Sequence, residues 1–451
     1  MRYARFLVHS PAPRRAGTRR HIADHLCEVG PGAPARRDQP RWATILQNLC
    51  PLRKFLFVIR TAGSAADRYP RQGLQRRLCD AGAMCLVAAQ FSRHGDPRCG
   101  ILSASPASSA SGTQLLFPGL PTAMIIAGID EAGYGPVLGP LVVSAAAFRT
   151  APGDGAALNS EAPEQLWRQL RRAVRRQGPV RDGKLIITDS KLVRRLTDGL
   201  AQMERTVLTV CRLLDPPMAD TGNIRQLLVL LQTPLEYHPN QCWYRDTCAP
   251  LPLFCSADAV DVTVNLLRGV LAEAQTAPAA LWTELLDEAR FNQLLAATRN
   301  KATVLTILTM RHLARLHERF GAEPLLVVVD KQGGRDRYLP LLLDAFGAAH
   351  FKVLAEGPHE SAYHIHDGPR ETTVFFREKA ELSSLPTALA SMASKYIREA
   401  FMDAFNRWWG QRVAQLRPTA GYYQDAQRWL ADTQPHWPAL GVRNDDLVRI
   451  K

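Results

Sequence analysis

Residues 124–148 read MIIAGIDEAGYGPVLGPLVVSAAAF. An apolar run over 125–129 ends in two adjacent carboxylates, Asp130 and Glu131. A glycine turn follows at Gly133, Tyr134, Gly135 and Pro136, and a second apolar run covers 141–148. Two strands joined through a glycine-rich corner match this pattern. On its own, an Asp-Glu pair reads as a strand-end turn or a helix cap. Acids at the end of a buried strand are costly without a positive partner, and a divalent cation is the usual one.

The rest of the chain supplies context. At 451 residues it is long enough for two or three domains, and 46% hydrophobic content supports a sizeable core. The net charge of +14 is unevenly placed. Residues 1–123 hold 18 Lys and Arg, all but Lys54 being Arg, against 6 acids; residues 124–451 hold 38 basic and 36 acidic side chains. The basic balance therefore belongs to the first quarter and says nothing about nucleic-acid binding by the remainder. That first quarter, 1–123, is basic and of low complexity, rich in Arg, Pro and Ala, and ends in a Ser/Ala linker over 103–111. It reads as a disordered arm, as a transit-like presequence, or as sequence upstream of the true start, the reading favoured here because the composition changes abruptly at Met124.

No run of 18 apolar residues occurs, so no membrane span is expected, and a cytoplasmic location is. Nine cysteines, none in a CxxC pair, argue against a disulfide framework. His238, Cys242, Cys248 and Cys255 cluster, yet their spacing matches no common zinc finger, and ordinary thiols are the simpler reading.

Beyond 148, periodicity predicts a basic amphipathic helix over 163–176, strand character over 206–214, and helical patches over 224–232 and 258–273. It also predicts a strong helix over 300–320, strands over 325–329, 351–355 and 372–376, and helices over 385–409 and 424–431. Strands alternating with helices indicate an α/β architecture with a central mixed sheet flanked by helices. Asp330 repeats the arrangement at Asp130, because the apolar run LLVVV delivers it to a strand end before Gly333 and Gly334. Sites in α/β proteins gather at such ends. A third acid, Glu381, lies in Lys379-Ala380-Glu381, ahead of ASMASKYIRE over 390–399.

Together these segments resemble ribonuclease HII. The family's first motif is close to D-E-A-G-R-G-P-x-x-G-P, and only Tyr134 departs from it, standing where Arg or Lys is usual. K-A-D becomes Lys379-Ala380-Glu381. Ten residues later the A-S-I-x-A-K-V-x-R-D helix is matched by Ala390, Ser391, Ala393, Lys395 and Arg398, with Glu399 in place of the last Asp. Asp189-Ser190-Lys191 is similar to the D-S-K motif, and Gly421-Tyr422 to the later G-Y motif. The resemblance spans roughly 124–435, five motifs in order, with insertions near 215–290 and 333–370 read as surface excursions.

The resemblance implies a ribonuclease H-like fold over 124–451 and an endonuclease hydrolysing the RNA strand of RNA/DNA hybrids. Asp130, Glu131, Asp330 and Glu381 would be both catalytic residues and ligands of two Mg²⁺ or Mn²⁺ ions. Gly133, Tyr134 and Gly135 would approach the ribose, and Tyr422 would stack on the sugar. Lys191, Ser391, Lys395 and Arg398 are the phosphate-binding candidates. Glu381, one methylene longer than the usual Asp, bears on the choice of metal, and Tyr134 removes one phosphate contact. A catalytically inactive nucleic-acid-binding protein of the same fold is the rival reading, with a protein partner at 215–290. A monomer is the default state. Mass spectrometry of the native protein should recover no peptides from residues 1–100; their recovery would contradict the upstream-start reading.

Overall fold

Residues 123–151, 162–177, 183–215, 222–234, 241–245 and 249–450 are described in this computed structural model. The readings of 1–122, His238 and Cys248 lie outside them. The glycine corner joins β1 (Met124–Ala132) to β2 (Leu141–Thr150), which run antiparallel with Ile129 opposite Ala145. Helix α1 (Ala162–Gln169) stops earlier than periodicity predicts. Its continuation forms β3 (Val174–Arg175), which pairs with β4 (Leu185–Ile186). Then come α2 (Ser190–Arg194), α3 (Gly199–Cys211), α4 (Ile224–Leu230) and α5 (Ala257–Glu273). They are followed by β5 (Thr276–Leu286), α6 (Glu288–Thr298), α7 (Lys301–Phe320) and β6 (Leu325–Asp330). Next are α8 (Leu339–Phe346), β7 (His350–Glu356), β8 (Glu360–Asp367) and β9 (Arg370–Arg377). The long α9 (Leu385–Gly410) and α10 (Tyr423–Thr433) complete the frame.

Seven strands form one mixed sheet in the order β5-β2-β1-β6-β9-β8-β7, parallel across β1-β6-β9 and antiparallel elsewhere. The α/β architecture with a central mixed sheet flanked by helices is thus present. Alternate β1 residues feed two cores, as a period of two requires. Ile126 packs with α9 on one face, and Ile125, Ala127 and Ile129 pack with α7 on the other.

Two further readings change. Residues 206–214 are not a strand: Thr206–Cys211 belong to α3. This helix is buried nearly all round, so its β-branched run carries no amphipathic period, and Thr206 Oγ1 bonds back to the Gln202 carbonyl at 2.8 Å. The stretch 215–290 is no mere surface excursion. It supplies β5, which pairs along β2, and Trp243 and Tyr244, which are buried against Phe401, Phe405, Trp408 and Trp409. Strand β8 and helix α6 have no counterpart in the periodicity reading.

Helix α9 approaches β1 closely at Gly128. A Cβ there would stand 2.1 Å from the Thr387 amide nitrogen and 2.4 Å from Thr387 Oγ1, and Thr387 Oγ1 donates to the Val328 carbonyl at 3.0 Å. Gly128→Ala should therefore destabilise the fold by about 3 kcal/mol, the upper end for overpacking. Denaturant melts would measure it, and a loss under about 1 kcal/mol would mean that α9 gives way.

Candidate functional site

Register brings the first two sources of acid together. Ile129 pairs with Val329 in the parallel ladder, so Asp130 and Asp330 follow one step further, side by side at the carboxyl ends of β1 and β6. Glu131, one residue on, faces the α7 side. The third source is a 3₁₀ turn, Ala380–Leu382, entered through Lys379 in the left-handed region (φ 52°). The Ala380 amide donates to Asp330 Oδ1 at 3.1 Å, and the Lys331 amide to the Arg377 carbonyl at 3.0 Å. These bonds seat Glu381 beside Asp330.

The four carboxyls perturb one another. Asp130, 8% exposed, is held well above the usual carboxylate range by burial first and then by Glu131, Asp330 and Glu381. Burial and Asp330 push Glu131 up to about 7. Asp330 is raised by burial, against the Ala380 amide and Lys191, and Glu381 is raised by burial and by Asp330. The Glu131 amide donates to Asp130 Oδ1 at 2.7 Å.

Helix α9 lines one side. Ser391, buried, places its hydroxyl against Asp130 and 3.0 Å from Ser190 Oγ. Ser394 donates to the Asp130 carbonyl at 3.1 Å and to Ser144 Oγ at 2.9 Å. Lys191 is exposed at the start of α2, where Asp189 caps the helix. Burial pulls its pKa down, but Asp189, Glu381, Asp130 and Asp330 hold it above its ordinary value. It is the cation that faces the acids.

The remaining predicted residues divide. Gly133 lies in the left-handed region (φ 87°), and a Cβ there would meet the Pro140 carbonyl at 2.5 Å and Arg398 Cδ at 2.8 Å. Gly135 is exposed, with Tyr422 at its side. Tyr422 is half exposed, and Arg398 Cζ lies 5.9 Å from its ring centroid. Tyr134 packs on the α7 side with Lys301 Nζ 5.0 Å from its ring. Lys395 pairs with Glu399 at 2.9 Å. Arg398 is fully buried and donates to the Ala420 carbonyl at 2.8 Å and the Leu138 carbonyl at 3.3 Å. It ties the glycine corner to the segment before Tyr422 and stands behind the site.

Sequence reading missed several supports. Buried Glu288 accepts from the Gly139 amide and from Tyr244 Oη, both at 2.9 Å. The Val137 amide donates to the Gly421 carbonyl at 2.9 Å, and the Val137 carbonyl accepts from the Arg449 amide at 2.8 Å. No motif marks Glu288 or Arg449, because each acts through a distant backbone group. Cys255 offers a poor zinc ligand: burial and Glu204 push its thiol up to about 12.

Whether these acids suit divalent cations can be judged from their chemistry. Among the described residues no three His, Cys, Asp or Glu side chains already stand close enough together to hold an ion. The donor set itself fits: it is all oxygen, Glu381 Oε2 is buried without a hydrogen-bond partner, and burial holds every carboxyl above its ordinary range, with like charge adding to this at Asp130, Glu131 and Glu381. An ion would have to draw the side chains in. Among the described residues no helix is long and apolar enough to cross a membrane.

No protein-family model matches this chain, and no curated protein matches it. Solved structures do. One is from the PCNA:RNase HII complex of Archaeoglobus fulgidus, at 16% identity over 72% of this chain and 94% of that one, with a TM-score of 0.31. Another is ribonuclease H2 from Pyrococcus horikoshii OT3, at 15% identity over 72% and 92%, TM-score 0.34. A third is Aquifex aeolicus RNase H3, at 14% identity over 72% and 70%, TM-score 0.31. With scores this low, the fold description rests on the sheet order itself.

The raised carboxyls set a sign for pH dependence. Without divalent cations the folded state binds more protons than the unfolded chain, so stability falls as pH rises from the ordinary carboxylate range, about 4, through the Glu131 value. In chelator, Tm should drop between about pH 5 and about pH 8. Asp130→Asn should flatten that trend. A Tm that rises across the window would contradict the assignment.

Proposed function

We propose that this chain is a ribonuclease HII-like endonuclease that hydrolyses the RNA strand of RNA/DNA hybrids with the help of Mg²⁺ or Mn²⁺. The observation that supports this reading is that Asp130, Glu131, Asp330 and Glu381, from β1, β6 and the turn after β9, lie at one end of the sheet, each held above the ordinary carboxylate range by burial. Four acids packed together disfavour a protein that only binds nucleic acid, since their charge repels phosphate.

Asp130, Asp330 and Glu381 would hold the ions, with Glu131 on the side nearer Tyr134. Bound there, divalent ions supply an activated water and neutralise charge on the phosphoryl group and the leaving oxygen. The chain's own contribution is placement. Ser391 favours the ionised form of Asp130, and Ser394 fixes the end of β1 through the Asp130 carbonyl. Lys191 offers a positive charge at the rim to a backbone phosphate. The exposed Gly135 and the ring of Tyr422 form an open shelf where a ribose can lie, its 2′-hydroxyl being the feature that separates RNA from DNA.

The test is incubation of the purified full chain with a labelled RNA/DNA hybrid, and with a duplex carrying one ribonucleotide, in Mg²⁺ or Mn²⁺. Cleavage is expected in the RNA strand. Glu381→Gln should lower it at least about 100-fold, more than the loss of an outer-shell partner would. Binding without cleavage of either substrate would favour the non-catalytic reading, and near-normal turnover in Glu381→Gln would remove that residue from the site.

A further inference from the structure

The site has two unlike flanks. Tyr134 packs on the α7 side, whereas Tyr422 lies beside Gly135 with Arg398 Cζ of α9 5.9 Å from its ring centroid. Around Tyr134 two cations gather from separate elements. Lys301, the first residue of α7, puts Nζ 5.0 Å from the ring centroid. Arg335, in the loop after β6, lies within electrostatic reach of the Tyr134 hydroxyl. Its place is set by Nη1 donating to Thr306 Oγ1 at 3.1 Å and by Cζ standing 5.7 Å from the Tyr338 ring. Gly333 and Gly334, just before Arg335, are exposed and meet no neighbouring atoms where a Cβ would stand, so the rim is low there.

Position 134 lacks the cation found there in the sequences this chain resembles, yet its ring is accompanied by two cations contributed from elsewhere. Lys191 acts on Glu131, Asp330 and Glu381 from the other side of the site. A tyrosine ring beside two cations, within electrostatic reach of Glu131, suits a polyanion whose sugars pack on the ring while its phosphates meet the charges.

We propose that Lys301 and Arg335, assembled around Tyr134, hold the phosphodiester backbone of the substrate duplex on the α7 flank. The proposal rests on the nuclease reading for its substrate and adds to it a second grip. Its chemistry is charge neutralisation: each phosphate contact releases condensed counterions, so each cation removed lowers the dependence of binding on salt.

The experiment uses the full chain carrying Asp130→Asn, so that substrate survives. Fluorescence anisotropy of a labelled RNA/DNA hybrid is followed across a salt series. Relative to this parent, Lys301→Ala should reduce the slope of log Kd against log salt by about 1, and Lys301→Ala with Arg335→Ala by about 2. Lys301→Arg should restore the parent slope, and Lys301→Glu should weaken binding beyond Lys301→Ala. Melting curves of each variant identify any that fail to fold, and Arg335→Gln, which keeps a donor for Thr306, replaces Arg335→Ala in that event. An unchanged slope in the folded double variant would overturn the inference while leaving hybrid cleavage by the unaltered chain, and with it the nuclease reading, intact. Absence of hybrid binding by the parent together with absence of cleavage by the unaltered chain would overturn both.

Discussion

The close approach of α9 to β1 at Gly128 is the contact on which the site depends. Main chain meets main chain there, with no room for a side chain, and Thr387 seals the seam by donating to the Val328 carbonyl on the neighbouring strand. One helical turn further along α9, Ser391 reaches Asp130, and almost another turn brings Ser394 to the Asp130 carbonyl and to Ser144. The end of β1 is therefore held by hydroxyls from a rigid helix. Any retreat of α9 would break the seam and carry Ser391 and Ser394 away from Asp130. Farther along, the same helix carries Arg398, which joins the glycine corner to the segment bearing Tyr422.

Opposing this order is the repulsion among four carboxyls. Burial favours protonation of all four, and like charge adds to it at Asp130, Glu131 and Glu381. The scaffold maintains acids that destabilise it, which is the usual mark of a site kept for chemistry. The surrounding polar groups are arranged to limit that cost. The Ala380 amide and Lys191 favour the ionised Asp330, and Ser391 favours the ionised Asp130.

Much of this was legible in the chain itself. The run 125–129 followed by Asp130 and the glycine corner reads directly as strand, acid and turn, and LLVVVD reads as a buried parallel strand, because apolar runs of strand length leave few alternatives. Helices with a clear apolar stripe, such as α7, are found at nearly the expected limits. Periodicity failed where burial is complete on all sides. In α3 the β-branched residues near Cys211 face protein in every direction, so no stripe exists to betray the helix. It also failed for β5, whose pairing with β2 makes an edge strand out of a stretch that reads as an insertion.

The sequence by itself determined which residues are proposed to bear the chemistry: Asp130, Glu131, Asp330 and Glu381 each belong to a local pattern, and local pattern is what a one-dimensional string records. Only the tertiary structure decided which of the accompanying polar groups face them. It turned Arg398 inward to brace two loops, set Lys191 toward the acids, and brought Lys301 and Arg335 to Tyr134 from segments more than a hundred residues away. Those outcomes depend on strand register and on which helix face meets the sheet, and these are fixed by packing across the whole core.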